Sequence, residues 1–120
     1  MEERTGGHPQ LAVAACVQDG VRVIALAGEL DLDSVAEFDA ALVAASAGPQ
    51  PRVCLDLTGL RFIDSSGLAA IIRAHVTVAE AAGAFAVAAG GIVHRTLETT
   101  GLLEMLNVVP DRATALADLA

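Results

Sequence analysis

Short apolar runs that alternate with helically spaced segments constrain this chain more than any other feature. Leu11 to Val17 and Val21 to Ala27 are two such runs, separated by Gln18-Asp19-Gly20. Two β-like runs around a short Asp-Gly turn predict a hairpin. Gly28-Glu29-Leu30-Asp31 ends the second run, and Asp33 or Ser34 is placed to cap the next segment, with Glu37 supporting its first turn. Val35, Phe38, Leu42 and Ala45 then recur at helical spacing, which predicts an amphipathic helix over about 33–46. Gly48-Pro49-Gln50-Pro51 breaks it.

The alternation continues. Arg52 to Leu57 reads as a buried strand, and Thr58 to Ile63 as a connector carrying two large apolar anchors. Asp64-Ser65-Ser66-Gly67 opens a second helix, with Leu68, Ile71, Ile72, His75 and Ala79 as its buried stripe and Arg73 and Glu80 on the wet side. Gly83 ends it. Ala84 to Ala88 is a further strand, and Gly90-Gly91 a turn. Val93, Leu97 and Thr100 mark a short helix stopped by Gly101. Met105 to Val109 is a short strand, and Pro110-Asp111 starts a last helix with Ala113, Leu116 and Leu119 inward. The order β-β-α-β-α-β-α-β-α predicts an α/β fold in one domain. Its mixed sheet has an N-terminal hairpin and later parallel strands, packed against about four helices. Residues 1–10, with Gly6, Gly7 and Pro9 among polar neighbours, read as a flexible leader to a domain over 11–120.

Composition narrows the function classes. A chain of 120 residues suffices for one core, and 54% apolar content argues against disorder. No uncharged apolar run reaches the roughly 18 residues of a membrane span, and Met1-Glu2-Glu3-Arg4 lacks the basic flank of a signal peptide. A soluble, cytoplasmic protein without membrane insertion is expected. The net charge is −8 and all the positive charge is Arg, so direct nucleic-acid binding is not expected. Cys16 and Cys54 lie in strand-like runs without CxxC spacing and are read as buried small hydrophobes. Glu29, Asp31 and Asp33 sit at a strand end without an EF-hand pattern, so capping is preferred to metal binding, and no cofactor is expected. Gly90-Gly91 with Arg95 has neither a P-loop nor a dinucleotide fingerprint. Neither Ser65 nor Ser66 is framed as Gly-x-Ser-x-Gly, and His8, His75 and His94 are not placed as bases, so a hydrolase is set aside and no catalytic residue is assigned.

The most informative stretch is Asp56-Leu57-Thr58-Gly59-Leu60-Arg61-Phe62-Ile63-Asp64-Ser65-Ser66-Gly67-Leu68. A strand ends and a helix begins at two serines and a glycine. That puts a hydroxyl where free backbone N–H groups and the positive dipole end lie. Taken alone, Asp64 or Ser65 is an ordinary N-cap.

Together, Leu55-Asp56-Leu57, Phe62-Ile63-Asp64-Ser65-Ser66-Gly67-Leu68 and Gly28-Glu29-Leu30-Asp31 resemble the signature of the STAS family, and within it the bacterial anti-sigma-factor antagonists. Ala82-Gly83, Val93, Arg95, Leu97 and Gly101-Leu102 match the C-terminal half, so the resemblance runs from about Ala15 to the end. Gly90-Gly91 departs from it, since many relatives carry Pro or Ser there. The resemblance implies a non-enzymatic partner switch. The unmodified antagonist binds an anti-sigma factor that is a GHKL-type serine/threonine kinase, which releases the sigma factor. Phosphorylation ends the binding, and a phosphatase resets it. By position the phosphoacceptor is Ser65, with Ser66 the second choice. Glu29, Asp31, Asp64, Ser66 and Gly67 are the implied partner-binding surroundings. Ala69, Ile72 and Val76 share the Ser65 side of the helix, and Ile72 and Val76 are candidates for an apolar contact. The alternative within the fold is an accessory subunit of a lipid ABC-type transport system or of a sensory complex, without a phospho-switch.

Overall fold

The computed structural model describes residues 10–120, so the expected leader lies outside the described residues except for Gln10. Asp19 and Gly20 both adopt positive φ, 54° and 78°. This is the backbone of a tight primed turn, whose twist matches that of the flanking strands. It joins β1 (Leu11–Gln18) to β2 (Val21–Leu30) as an antiparallel pair in the register Gln18 to Val21. Gly28, with φ of 103°, closes the far end of the hairpin. A Cβ there would sit 2.2 Å from the Gln10 carbonyl oxygen, which accepts the Glu29 amide at 2.7 Å.

After α1 (Val35–Ala45), β3 (Arg52–Ile63) pairs parallel with β2. The stretch 58–63, expected as a connector, is the second half of this strand. Two register shifts, between Ala25 and Ala27 and between Gly28 and Glu29 on β2, give β3 an extra residue each time. At the first, Asp56 Oδ1 accepts both the Thr58 amide (3.0 Å) and the Thr58 hydroxyl (2.6 Å). This side chain bridges a bulge that reads as a break in the apolar pattern.

The helix α2 (Ser65–Glu80), β4 (Ala84–Ala88), α3 (Gly91–Thr99), β5 (Val108–Val109) and α4 (Arg112–Leu119) complete the chain. The sheet order is β1-β2-β3-β4-β5, with every pair after the hairpin parallel. One sheet face carries Ile24, Leu26, Leu55, Leu57 and Val87 beneath Phe38, Leu42, Ile71, Ala74, Val93 and Leu97 of α1, α2 and α3. On the other face Val21, Val23, Cys54 and Ala86 meet Ala115, Leu116 and Leu119 of α4. The expected mixed α/β architecture is therefore present.

Several local expectations are corrected. The buried line of α2 is Gly67, Ala70, Ile71, Ala74 and Val78, whereas Leu68, Ile72 and His75 are only half-buried and Ala79 is exposed. Small residues form the tight seam against the sheet, and the larger ones lie on its flanks. Cys54 is buried but Cys16 is exposed, because among the described residues β1 is an edge strand that no helix covers at that position. Gly91 starts α3 and is not only a turn residue. Of the strand expected over Met105 to Val109, only the last two residues pair. The preceding backbone turns instead, with the Leu106 amide on Leu102 O and the Val108 amide on Leu103 O. In α4, Ala115 takes the inward place expected of Ala113, which is exposed.

Candidate functional site

The C-terminal ends of the parallel strands form one rim of the sheet, and there α2 begins. Its N-cap is Asp64, in extended conformation, whose carboxylate accepts the Gly67 amide at 2.9 Å. This interaction satisfies one of the helix's orphan donors. The Asp64 amide donates to Leu30 O at 3.3 Å, tying the end of β3 to the end of β2. Gly67 lies against that junction. A Cβ on it would meet Leu30 O at 2.6 Å and Ile63 Cγ1 at 2.7 Å. The first turn of α2 is thus fixed close to the sheet by a residue without a side chain.

Because Asp64 caps the helix, Ser65 does not. Ser65 is the first helical residue and is exposed, and no hydrogen bond to another described residue holds its hydroxyl. Ser66 is half-buried. Further along α2, Ala69 and Val76 are exposed and Ile72 is half-buried, all on the same side as Ser65.

The neighbouring rim comes from the β2–α1 connection. Ser34 is 3% exposed and stands at the N-cap of α1 without a side-chain cap bond. Its hydroxyl instead donates to Glu29 O at 3.0 Å and accepts the Asp31 amide at 3.0 Å. Asp31 Oδ1 accepts the Asp33 amide at 3.0 Å. These bonds fold the loop tightly and leave Leu32 75% exposed at its tip. Glu29, opposite Phe62 in the register, lies 3.8 Å from Arg61 in an exposed ion pair, an arrangement worth little in free energy. Phe62 itself is 46% exposed. The rim therefore combines the carboxylates of Glu29, Asp31, Asp33 and Asp64 with two solvent-facing apolar side chains and an open hydroxyl. Sequence patterning does not mark Leu32 and Phe62 as surface residues, since an apolar residue next to a strand end usually turns inward.

A second polar cluster lies on the α4 side of the sheet. Arg112 Nε donates to Asp56 Oδ2 at 2.8 Å, and Asp56 is only 7% exposed. Burial alone would raise the Asp56 carboxyl, but the two Thr58 hydrogen bonds and Arg112 outweigh it and hold it below the ordinary value. The Arg112 guanidinium is raised in return, chiefly by its hydrogen bond to Asp56. Among the described residues no group of His, Cys, Asp and Glu is arranged to hold a metal ion, and no helix is long and apolar enough to cross a membrane.

Known proteins share this architecture. An anti-sigma F factor antagonist from Paenibacillus polymyxa is 31% identical over 105 residues, covering 83% of this chain and 87% of that protein. The crystal structure of an anti-sigma factor antagonist from Mycobacterium paratuberculosis superposes with a TM-score of 0.84 at 26% identity, over 93% of this chain and 97% of that one. The phosphorylated form of the Bacillus cell fate determinant SpoIIAA shares the fold, with a TM-score of 0.66 at 20% identity, over 91% and 100% of the two chains. The STAS domain family model matches residues 12–115, and the chain belongs to that family.

Proposed function

We propose that this chain is an anti-sigma factor antagonist that works as a reversible binding module in the cytoplasm and catalyses nothing itself. Its unphosphorylated form binds an anti-sigma factor, a GHKL-type serine/threonine kinase, and so releases the sigma factor. Phosphorylation of Ser65 ends the binding, and a phosphatase restores it. The observation that carries this reading is the exposed Ser65 hydroxyl, left out of the helix cap because Asp64 occupies it. The partner surface in this reading comprises Glu29, Asp31, Asp64, Ser66 and Gly67 at the rim, and Ile72 and Val76 along α2. Phe62 and Leu32 extend it.

The physics of the switch rests on that position. A phosphoryl group adds about −1.5 to −2 charges. The dipole at a helix N-terminus favours an anion by about 0.3–1 kcal/mol, so the domain tolerates the modification. A docked protein does not. One new like-charge contact near 4 Å costs about 4 kcal/mol at an effective dielectric of about 20, equivalent to roughly a thousandfold in affinity. The relatives named as antagonists support the binding role.

The test is phosphosite mapping after incubation with a GHKL kinase from the same genome and ATP, with binding measured before and after. Modification at Ser65, abolished in Ser65→Ala, with loss of binding and an unchanged circular dichroism spectrum supports the reading. A Ser65 left untouched, or stable co-purification with an ABC-type permease or ATPase in place of a kinase, overturns it.

A further inference from the structure

Leu32 is held in water by the loop around it. It lies between β2 and α1 and is 75% exposed. The inward positions beside it are already filled, since Leu30 is fully buried and Ser34 is 3% exposed. The Ser34 hydroxyl ties Glu29 O to the Asp31 amide, and Asp31 O accepts the amides of Ser34 (3.1 Å) and Val35 (3.0 Å). A tip bonded in this way loses little freedom when a partner covers it, so its side chain is presented already ordered.

The loop is continuous with the start of α2. Leu30 O accepts the Asp64 amide, and Gly67 lies directly against the same carbonyl. Two residues of chain reach at most about 7 Å, so Leu32 stands beside the turn that carries Ser65. Phe62, half-exposed, is opposite Glu29 on the neighbouring strand. A protein that covers the Ser65 hydroxyl therefore meets Leu32 as well. Asp31 and Asp33 flank the leucine, in a chain whose net charge is −8.

We propose that Leu32 is the affinity-determining contact of this rim, seated in an apolar pocket of the anti-sigma factor whose edge carries Arg or Lys. The inference rests on the rim being the antagonist's binding surface, as proposed above. The pocket is apolar because the side chain it takes can neither donate nor accept a hydrogen bond. Its edge is basic because a neutral or acidic one would leave the two flanking carboxylates unmatched or opposed on docking. Leu32 has no group that moves a proton or holds a phosphate, so it acts on docking and not on the transfer to Ser65.

Titration calorimetry with a GHKL kinase from the same genome, and initial rates of Ser65 phosphorylation at saturating ATP, test this on the parent, Leu32→Ala and Leu32→Met. Leu32→Ala is expected to weaken binding and raise KM by about tenfold or more, the size of losing the outer carbons of a buried leucine, with kcat within about twofold of the parent. Leu32→Met, apolar and of similar volume, is expected to restore most of the affinity. The melting temperatures of all three should coincide, because the leucine is exposed in the free domain. A Leu32→Ala variant that binds like the parent overturns the inference and leaves the Ser65 switch standing. So does a loss in kcat in place of KM, a loss that comes with a lower melting temperature, or one that Leu32→Met does not repair. A parent neither bound nor phosphorylated overturns the reading of the rim itself, and this contact with it.

Discussion

Asp64 accepts the Gly67 amide at 2.9 Å and thereby leaves the adjacent Ser65 hydroxyl unused. Two neighbouring residues able to cap one helix are divided into a structural and an available one. Asp64→Ala is accordingly expected to cost about 1 kcal/mol, with Asp64→Asn close to neutral. Ser65→Ala is expected to stay within about 0.5 kcal/mol of the parent. Urea denaturation of the three variants checks the division. A Ser65→Ala loss as large as that of Asp64→Ala would mean the hydroxyl is structural after all.

Gly67 sets the depth at which α2 sits. Its absent Cβ would lie 2.6 Å from Leu30 O, and backbone cannot yield as a flexible side chain does. Gly67→Ala should therefore push the first turn of α2 off the sheet at a cost of about 1–3 kcal/mol. That lowers the melting temperature by several degrees. Since the shift displaces Ser65 too, phosphorylation by a cognate kinase should slow in the same variant. An Ala variant with wild-type melting temperature would show that the helix has room to spare at this contact.

The acid limb of stability should report on Asp56. Its carboxyl titrates below the ordinary value of 3.8 in the fold, because the Thr58 bonds and Arg112 outweigh burial. A depressed acid contributes stability that is complete above its unfolded value and is lost as pH falls through the folded one. At neutral pH, Asp56→Asn is expected to cost about 1.5–3 kcal/mol, as for a hydrogen bond to a charged group. The gap between parent and variant should narrow as the pH drops below about 4. Melting curves of both proteins from pH 7 downward measure it. A gap constant across that range would remove the Arg112 pair from the account of stability.

The hairpin and the start of α2 are legible in the sequence because each depends on local chemistry: Asp19-Gly20 for the primed turn, Asp64 three residues before Gly67 for the cap. Features set by distant partners are not. Asp56 and Arg112 stand 56 residues apart, and no periodicity connects them. The second half of β3 reads as a loop because Thr58 and Gly59 interrupt its apolar run, whereas Asp56 bridges the bulge they make. Hydrophobic size alone places the α2 stripe on Ile72 and His75. The sheet instead selects Gly67, Ala70 and Ala74, whose smallness allows close approach. Alanine also conceals the exposure of β1, since an Ala-rich strand shows no alternation between wet and dry faces.

The two cysteines provide a final test. Cys54 is fully buried on β3 beneath α4, and burial, reinforced by the nearby Asp56 charge, pushes its thiol up to about 11. The thiolate is the reactive species, so Cys54 combines a scarce nucleophile with no access. Cys16 is exposed on β1. A thiol-specific aromatic disulfide reagent at neutral pH should therefore modify one sulfur per chain rapidly. The second should react only at the rate at which the α4 side of the sheet opens, and in denaturant both should react together. Mass spectrometry of the native reaction should place the fast label on Cys16. Two fast labels would mean that α4 opens readily from the sheet, and that the Arg112–Asp56 pair does not hold it closed.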